Sequence, residues 1–295
     1  MRQPTQGRVR ANGIELAYFE WGAERRGAAA PLVLAHATGF HARCWDQVIR
    51  HLGERHIVAL DQRGHGRSEK TPITHWRVFG EDLAAFVRAL DLRDVIGVGH
   101  SMGGHAMVDA AAACPDRFRR LVLLDPVIGA RDAYGGGWSV SLVEGDLHPT
   151  AKRKRHFASA EEMFERFRNR PPYALFEPEA LRDYCTYGLL AAPEGGFELA
   201  CPPATEASIY MTSLTNQGVH DSIRSLDLPV FIVRAKEPPP HRALMDFSSS
   251  PTWSGLVREF RHGREEHWAD RSHFLPMEVS QRVARVLLRE TERAD

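Results

Sequence analysis

The chain has 295 residues, with 38 Lys and Arg against 38 Asp and Glu, and a hydrophobic fraction of 43%. The length suits one α/β domain, or one domain with an insertion. The balanced charge gives no support for nucleic-acid binding, and no stretch approaches the roughly 18 apolar residues of a membrane span. There is no apolar leader after Met1 and no CxxC pair among the four cysteines. We therefore expect a soluble cytoplasmic protein without a metal site.

The first half of the chain alternates between strand and helix patterns. Asn12-Gly13 between two alternating runs predicts a β-hairpin over residues 7–22. Residues 76–90 have one apolar face and residues 102–113 are small and Ala-rich, so both predict helices. Continuous apolar runs predict strands that are buried on both faces, at residues 31–35, 56–60, 95–98, 120–124 and 228–233. The alternation predicts a doubly wound α/β fold with a mostly parallel sheet.

The alternation stops after Asp125. Residues 130–226 contain Gly and Pro clusters and helix-like aromatic segments, but no strong strand pattern. Because connections this long are rare unless they carry structure or function, we predict a mostly helical cap over the ligand end of the sheet. The domains are then a core of residues 1–129 and 227–295, interrupted by a cap of residues 130–226. The basic run at 152–156 is interpreted as a solvated segment of this cap.

The segment Gly99-His100-Ser101-Met102-Gly103 follows a predicted strand and precedes a predicted helix. A G-x-S-x-G pattern needs this context, because its serine lies on a sharp strand-to-helix turn. Side chains at the two glycine positions would collide with the neighbouring strand and helix. The free N–H groups at the start of the helix would face the reaction centre. Ser101 is therefore the predicted nucleophile.

On these residues the chain resembles the α/β-hydrolase family, over most of its length except residues 130–226. Three further segments carry the resemblance. Residues 36–40 are similar to the family's His-Gly motif after the third strand, with Ala37 where glycine is usual. Residues 61–68 are similar to its D-x-R-G-x-G-x-S turn, for which the resemblance implies a structural role. Residues 270–274 are similar to the loop that bears the catalytic histidine, and the order of serine before histidine is the family's order.

Acyl transfer assigns roles to several of these residues. A serine hydroxyl needs a base that takes its proton as it attacks. Among the fifteen histidines, position and neighbours favour His273, with His262 and His267 as weaker candidates. The resemblance implies an oxyanion hole made by the N–H groups of Met102 and Thr38. The Thr38 side chain could add a donor, or it could satisfy its own turn.

The acid of the triad stays open at this stage. In most of the family it follows the seventh strand, in a segment similar to R-G-x-x-D. Here that segment has Ala235 for the glycine and Pro238 at the aspartate position, so that Glu237 comes one residue early. Some members have the acid after the sixth strand, where this chain has Asp125. Asp246 is a third, weaker alternative.

The leading hypothesis is a serine hydrolase that cleaves a carboxylic ester, thioester or lactone of a small, largely apolar substrate, without a cofactor. His36, Phe40, His100 and Trp138 are predicted to line its substrate pocket. Serine at position 101 argues against the dehalogenase and epoxide-hydrolase branches of the family, which use aspartate there. The alternatives are a C–C bond hydrolase, a cofactor-free haloperoxidase-like enzyme, or a non-catalytic small-molecule receptor. The expected partner is a small molecule rather than a nucleic acid or a membrane, and a homodimer is one option for the assembly.

Overall fold

The computed structural model describes residues 3–134, 148–241 and 246–293. The strands in chain order are β1 (Thr5–Ala11), β2 (Ile14–Trp21), β3 (Leu32–Ala35), β4 (Ile57–Leu60), β5 (Val95–His100), β6 (Phe118–Leu124), β7 (His156–Phe157), β8 (Leu189–Ala191), β9 (Phe197–Leu199), β10 (Val230–Ala235) and β11 (Gly263–Trp268). Eight of them form one sheet in the order β1-β2-β4-β3-β5-β6-β10-β11. In this sheet β2 runs antiparallel to both of its neighbours, and every other neighbouring pair is parallel.

Helices pack on both faces of this sheet, and others lie in the segment between β6 and β10. The described helices are α1 (Asp46–Arg50), α2 (Arg77–Ala89), α3 (Met102–Ala113), α4 (Ala160–Phe167), α5 (Pro178–Tyr187), α6 (Pro203–Met211), α7 (Val219–Ser225), α8 (Leu275–Glu278) and α9 (Ser280–Glu292). One apolar layer joins the sheet to α2, α3 and α7, and a second joins it to α1 and α9. The mostly parallel α/β fold predicted from the sequence is confirmed. Within the described ranges, every helix is too short or too polar to span a bilayer.

The predicted hairpin forms between β1 and β2. Ala11 pairs with Ile14 at its end, and the two turn residues between them have positive φ values, 47° at Asn12 and 79° at Gly13. A two-residue turn of this kind matches the twist of the strands that it joins, and Asn-Gly adopts it readily.

The segment between β6 and β10 differs from the expectation in two ways. Its described residues contain the helices α4 to α7, but also a small antiparallel sheet in the order β7-β9-β8. These strands have two or three residues each, too few for an alternating pattern to be visible in the sequence. The last helix, α7, packs against α3. The final part of the predicted 130–226 cap therefore packs with the core layers.

The basic run at 152–156 is not uniformly solvated. Lys154, Arg155 and His156 are exposed, but Arg153 turns inward. Its guanidinium pairs with the carboxylate of Glu206, which is only 4% exposed, and donates to the Tyr173 hydroxyl at 2.8 Å. The interpretation of this run as a solvated face is wrong for Arg153, because a carboxylate and phenol oxygens inside the insertion compensate its buried charge.

Candidate active site

Ser101 lies at the turn between β5 and α3. Its backbone has φ 57° and ψ −121°, a conformation that L residues adopt only under strain. The glycines on either side permit the turn. A Cβ at Gly99 would lie 2.4 Å from the carbonyl oxygen of Gly103, and a Cβ at Gly103 would lie 2.2 Å from that of Ala35. The close approach that the sequence predicted at both glycines is confirmed.

Three side chains from different parts of the chain form a hydrogen-bonded line. Ser101 Oγ lies 2.9 Å from His273 Nε2, and His273 Nδ1 lies 2.7 Å from Asp125 Oδ2. Since a carboxylate can only accept, Nδ1 donates to Asp125, which leaves Nε2 to accept the serine O–H. All three side chains are buried. The arrangement has the geometry of a nucleophile, a base and an orienting acid.

Asp125 directly follows β6 and is held on both oxygens. Its Oδ1 accepts from the Ala235 N–H at 2.9 Å, the Ser250 hydroxyl at 2.5 Å and the Thr252 hydroxyl at 3.2 Å. Burial raises the pKa of this carboxyl, but the hydrogen bonds and the His273 imidazole lower it, and the net shift is downward. Asp125 is therefore ionised at neutral pH. Nothing in the sequence pattern singled out Ser250 and Thr252, because they come from an irregular loop 125 and 127 residues further along the chain.

Glu237 does not occupy the acid position. Its side chain is 53% exposed and pairs with Arg234, which also contacts Glu265. The end of β10 contacts Asp125 instead, through the backbone N–H of Ala235. Asp246 accepts from the Ser248 N–H at 2.8 Å. The weaker base candidate His262 pairs with Asp227 at the surface.

Met102 and Thr38 lie beside the nucleophile. Met102 is the first residue of α3, where N–H groups have no partner within the helix. Thr38 follows β3, and its hydroxyl donates to Met102 Sδ at 3.4 Å. In the same loop the Gly39 N–H donates to His65 Nε2 at 3.0 Å and the Phe40 N–H to the Ala37 carbonyl at 3.1 Å. No described residue accepts a hydrogen bond from the Thr38 N–H.

His36 and His100 do not line the pocket beside Ser101, contrary to the prediction. His36 Nδ1 donates to the Ala37 carbonyl at 2.7 Å, and its Nε2 accepts from the Gln62 N–H at 3.0 Å. His100 Nε2 donates to the His273 carbonyl at 2.8 Å. Burial lowers the pKa of His100 to about 3 and also lowers that of His36. Both rings are neutral, and they hold backbone behind the site.

A cavity of about 840 Å³ opens over Ser101 and His273. Phe40 lies in its wall, as predicted, and packs against Phe274 at 5.9 Å between ring centroids. Phe247 also lies in the wall and stacks on the His273 ring at 6.1 Å. The predicted pocket residue Trp138 is outside the described residues. Other apolar and aromatic members of the wall are Trp76, Val127, Tyr210, Leu214, Pro238, Pro239, Pro240 and Trp253.

The described part of the site has no grouping of side chains suited to a metal ion. Among residues 3–134, 148–241 and 246–293, no three His, Cys, Asp or Glu side chains come together in a way that could hold a metal ion. The four cysteines are buried free thiols. Burial raises the pKa of the Cys201 thiol well above its ordinary value.

The model of the alpha/beta hydrolase family matches residues 32–286, most of the chain. The chain belongs to this family. It is 35% identical over 117 residues to a putative non-heme haloperoxidase of Mycobacterium phage D29, in a match that covers 38% of this chain and 41% of that protein. It is 36% identical over 110 residues to the lipase LipV of Mycobacterium tuberculosis, covering 36% and 41%. A monoacylglycerol lipase of Mycolicibacterium smegmatis is 32% identical over 155 residues, covering 46% and 52%. The chain thus spans about half or less of the length of these curated relatives.

Solved structures resemble the whole alpha/beta hydrolase chain. An E-2-(acetamidomethylene)succinate hydrolase has a TM-score of 0.72 at 21% identity, covering 96% of this chain and 97% of that one. A thioesterase domain from the curacin biosynthetic pathway has a TM-score of 0.69 at 16% identity, covering 97% and 100%. At such identities the likeness shows the fold alone, and function has to be argued from the site.

Proposed function

We propose that this protein is a serine hydrolase that cleaves a carboxylic ester, thioester or lactone through an acyl-enzyme. One observation carries the proposal: the Ser101 hydroxyl, the His273 imidazole and the ionised Asp125 form an unbroken hydrogen-bonded line at the floor of a cavity. The lipase and esterase names among the relatives support the same reaction class.

The residues take the following parts in the reaction. Ser101 Oγ attacks the carbonyl carbon while His273 Nε2 takes its proton, and the carbonyl oxygen becomes an oxyanion that accepts from the Met102 and Thr38 N–H groups. His273 then gives the proton to the leaving alcohol or thiol. Water attacks the acyl-enzyme with the same base, releases the acid and restores the serine. Asp125 holds the Nδ1–H tautomer and stabilises the imidazolium.

The composition of the cavity wall supports the proposal that the substrate is small and largely apolar. Aromatic and proline side chains make up much of it, and such surfaces gain most by covering apolar groups. In this proposal the predicted cap is the part of the insertion that closes the cavity. Tyr210 of α6 and His148 support this role, because both residues line the cavity.

A fluorophosphonate probe with peptide mapping, combined with p-nitrophenyl butyrate turnover, tests the proposal. We expect the label on Ser101, and a fall in kcat of at least about 10³-fold in S101A and in H273A. S225A and H262A are matched controls, because both side chains are exposed and away from the cavity. If pure wild type takes up no label and hydrolyses no ester or lactone, the protein is not this enzyme, and ligand-induced stabilisation would then favour a receptor.

Four relatives carry haloperoxidase or chloroperoxidase names, and this favours one second activity. The same acyl-enzyme could pass its acyl group to hydrogen peroxide instead of water. Monochlorodimedone bromination with acetate and peroxide measures it, and its loss in S101A would assign it to the same site.

A further inference from the structure

The Thr38 hydroxyl is a buried polar group in the wall of the cavity. Thr38 is only 4% exposed, and its Oγ1–H donates to the thioether sulfur of Met102 at 3.4 Å. A thioether is a weak acceptor. The turn of the loop is closed by the Phe40 N–H and the Ala37 carbonyl, so the hydroxyl is not needed to satisfy it.

The loop that carries Thr38 packs against the turn that carries the nucleophile. A Cβ on Gly103 would lie 2.2 Å from the Ala35 carbonyl oxygen and 2.7 Å from the His36 carbonyl oxygen. The chain leading into Thr38 is therefore in direct contact with the first turn of α3. Thr38 and Ser101 line the same cavity, and the sulfur that the hydroxyl contacts belongs to the residue directly after Ser101.

The loop is also fixed from the side of the core. The Gly39 N–H donates to His65 Nε2, while His65 Nδ1 donates to the Arg63 carbonyl at 2.9 Å. Burial holds the pKa of His65 well below its ordinary value, so the ring stays neutral and Nε2 continues to accept. Thr38 is thus presented on a loop whose next peptide is fixed, which is what a preorganised donor requires.

We propose that the Thr38 hydroxyl is a third hydrogen-bond donor to the oxyanion, in addition to the N–H groups of Thr38 and Met102. The inference rests on the proposed function, since it needs a tetrahedral intermediate on Ser101. In the free enzyme the hydroxyl donates to sulfur. When the oxyanion forms, the O–H turns about the Cβ–Oγ1 bond and exchanges a weak acceptor for a charged one. The gain exists only in the intermediate and the transition states that flank it, so it accelerates the reaction rather than tightening substrate binding.

The test compares T38V with T38S. Valine has nearly the shape of threonine without the hydroxyl, while serine keeps the hydroxyl and loses a methyl group, and both keep the backbone N–H. Removal of one oxyanion donor costs about 10²-fold or more in kcat, so we expect kcat of T38V to be at least tenfold below that of T38S, with KM values within threefold. A ratio of kcat values below ten overturns the proposal. Should T38V fail to fold by thermal unfolding, T38A against T38S asks the same question with the same threshold.

A tetrahedral analogue separates catalysis from structure. An alkyl trifluoromethyl ketone adds the Ser101 oxygen to its carbonyl carbon, the serine proton passes to His273, and the carbonyl oxygen becomes an oxyanion. We expect T38V to weaken this inhibitor in parallel with its loss of kcat/KM, while binding of a product alcohol is unchanged. Equal weakening of both ligands would indicate a structural role and would overturn the proposal. Failure of the proposed function is distinguishable, because wild type would then show neither turnover nor Ser101 labelling.

Discussion

The substitution Asp125→Asn tests the hydrogen-bonded line most sharply. The amide has one accepting oxygen and one donating NH₂ group. At Oδ1, Asp125 receives the backbone N–H of Ala235, which cannot reverse its direction, together with the hydroxyls of Ser250 and Thr252. The amide oxygen of the variant therefore takes the Oδ1 position, and the NH₂ group faces His273 Nδ1.

This orientation selects the wrong tautomer of His273. Nδ1 must then accept from the amide, so the proton of the neutral ring moves to Nε2, the atom that now accepts from the Ser101 hydroxyl at 2.9 Å. A protonated Nε2 cannot take the serine proton. The corresponding substitution in a serine protease triad lowers kcat by about 10⁴-fold, which is about 5.4 kcal/mol at ~1.36 kcal/mol for each factor of ten. We expect a loss of this order in D125N.

The assay is kcat for p-nitrophenyl butyrate at pH 7.5 with D125N, E237Q and wild type, each checked for folding by thermal unfolding. E237Q is the matched control, because Glu237 is half-exposed and pairs with Arg234, and we expect it to stay within threefold of wild type. A D125N enzyme within tenfold of wild type would refute the tautomer argument. A large loss in E237Q instead would assign the acid to Glu237.

Two further predictions concern stability. G103A should lower the free energy of unfolding by about 3 kcal/mol or more, because its Cβ would lie 2.2 Å from a backbone oxygen. Chemical denaturation measures this loss, with G129A as the control, because a Cβ at position 129 meets nothing closer than 3.4 Å. Equal unfolding midpoints for G103A and G129A would contradict the prediction. Burial lowers the pKa of His41 from 6.5 to about 4. Below pH 6.5 the unfolded chain therefore binds a proton that the folded chain does not, and the free energy of unfolding decreases as the pH falls. At ~1.36 kcal/mol for each pKa unit, wild type should lose roughly 2 kcal/mol more than H41Q between pH 7 and pH 5. H156Q, at an exposed histidine, should follow wild type in urea titrations at both pH values, and parallel behaviour of H41Q would show that His41 is not the group responsible.

The sequence predicted the elements whose environment is uniform along their length. The strands at the centre of the sheet are buried on both faces and are therefore continuously apolar. The edge strand β11, Gly263–Trp268, was missed. Its sequence is polar because its residues are mostly half-exposed and pair with charged neighbours such as Arg234 and Arg289. Periodicity carries no signal for such a strand.

The sequence by itself determined the turn around Ser101, because the strain at the serine and the close contacts at Gly99 and Gly103 are local and leave a pattern within five residues. It also indicated His273, through a loop similar to that of the family. Only the tertiary structure decided between Asp125 and Glu237, since each follows a strand at the same edge of the sheet. The acid is the carboxylate that reaches the His273 imidazole, which lies 148 residues from Asp125 in the chain. One N–H and two hydroxyls hold the Asp125 carboxylate in that position. Such contacts join residues that are distant in the chain, so no local pattern records them.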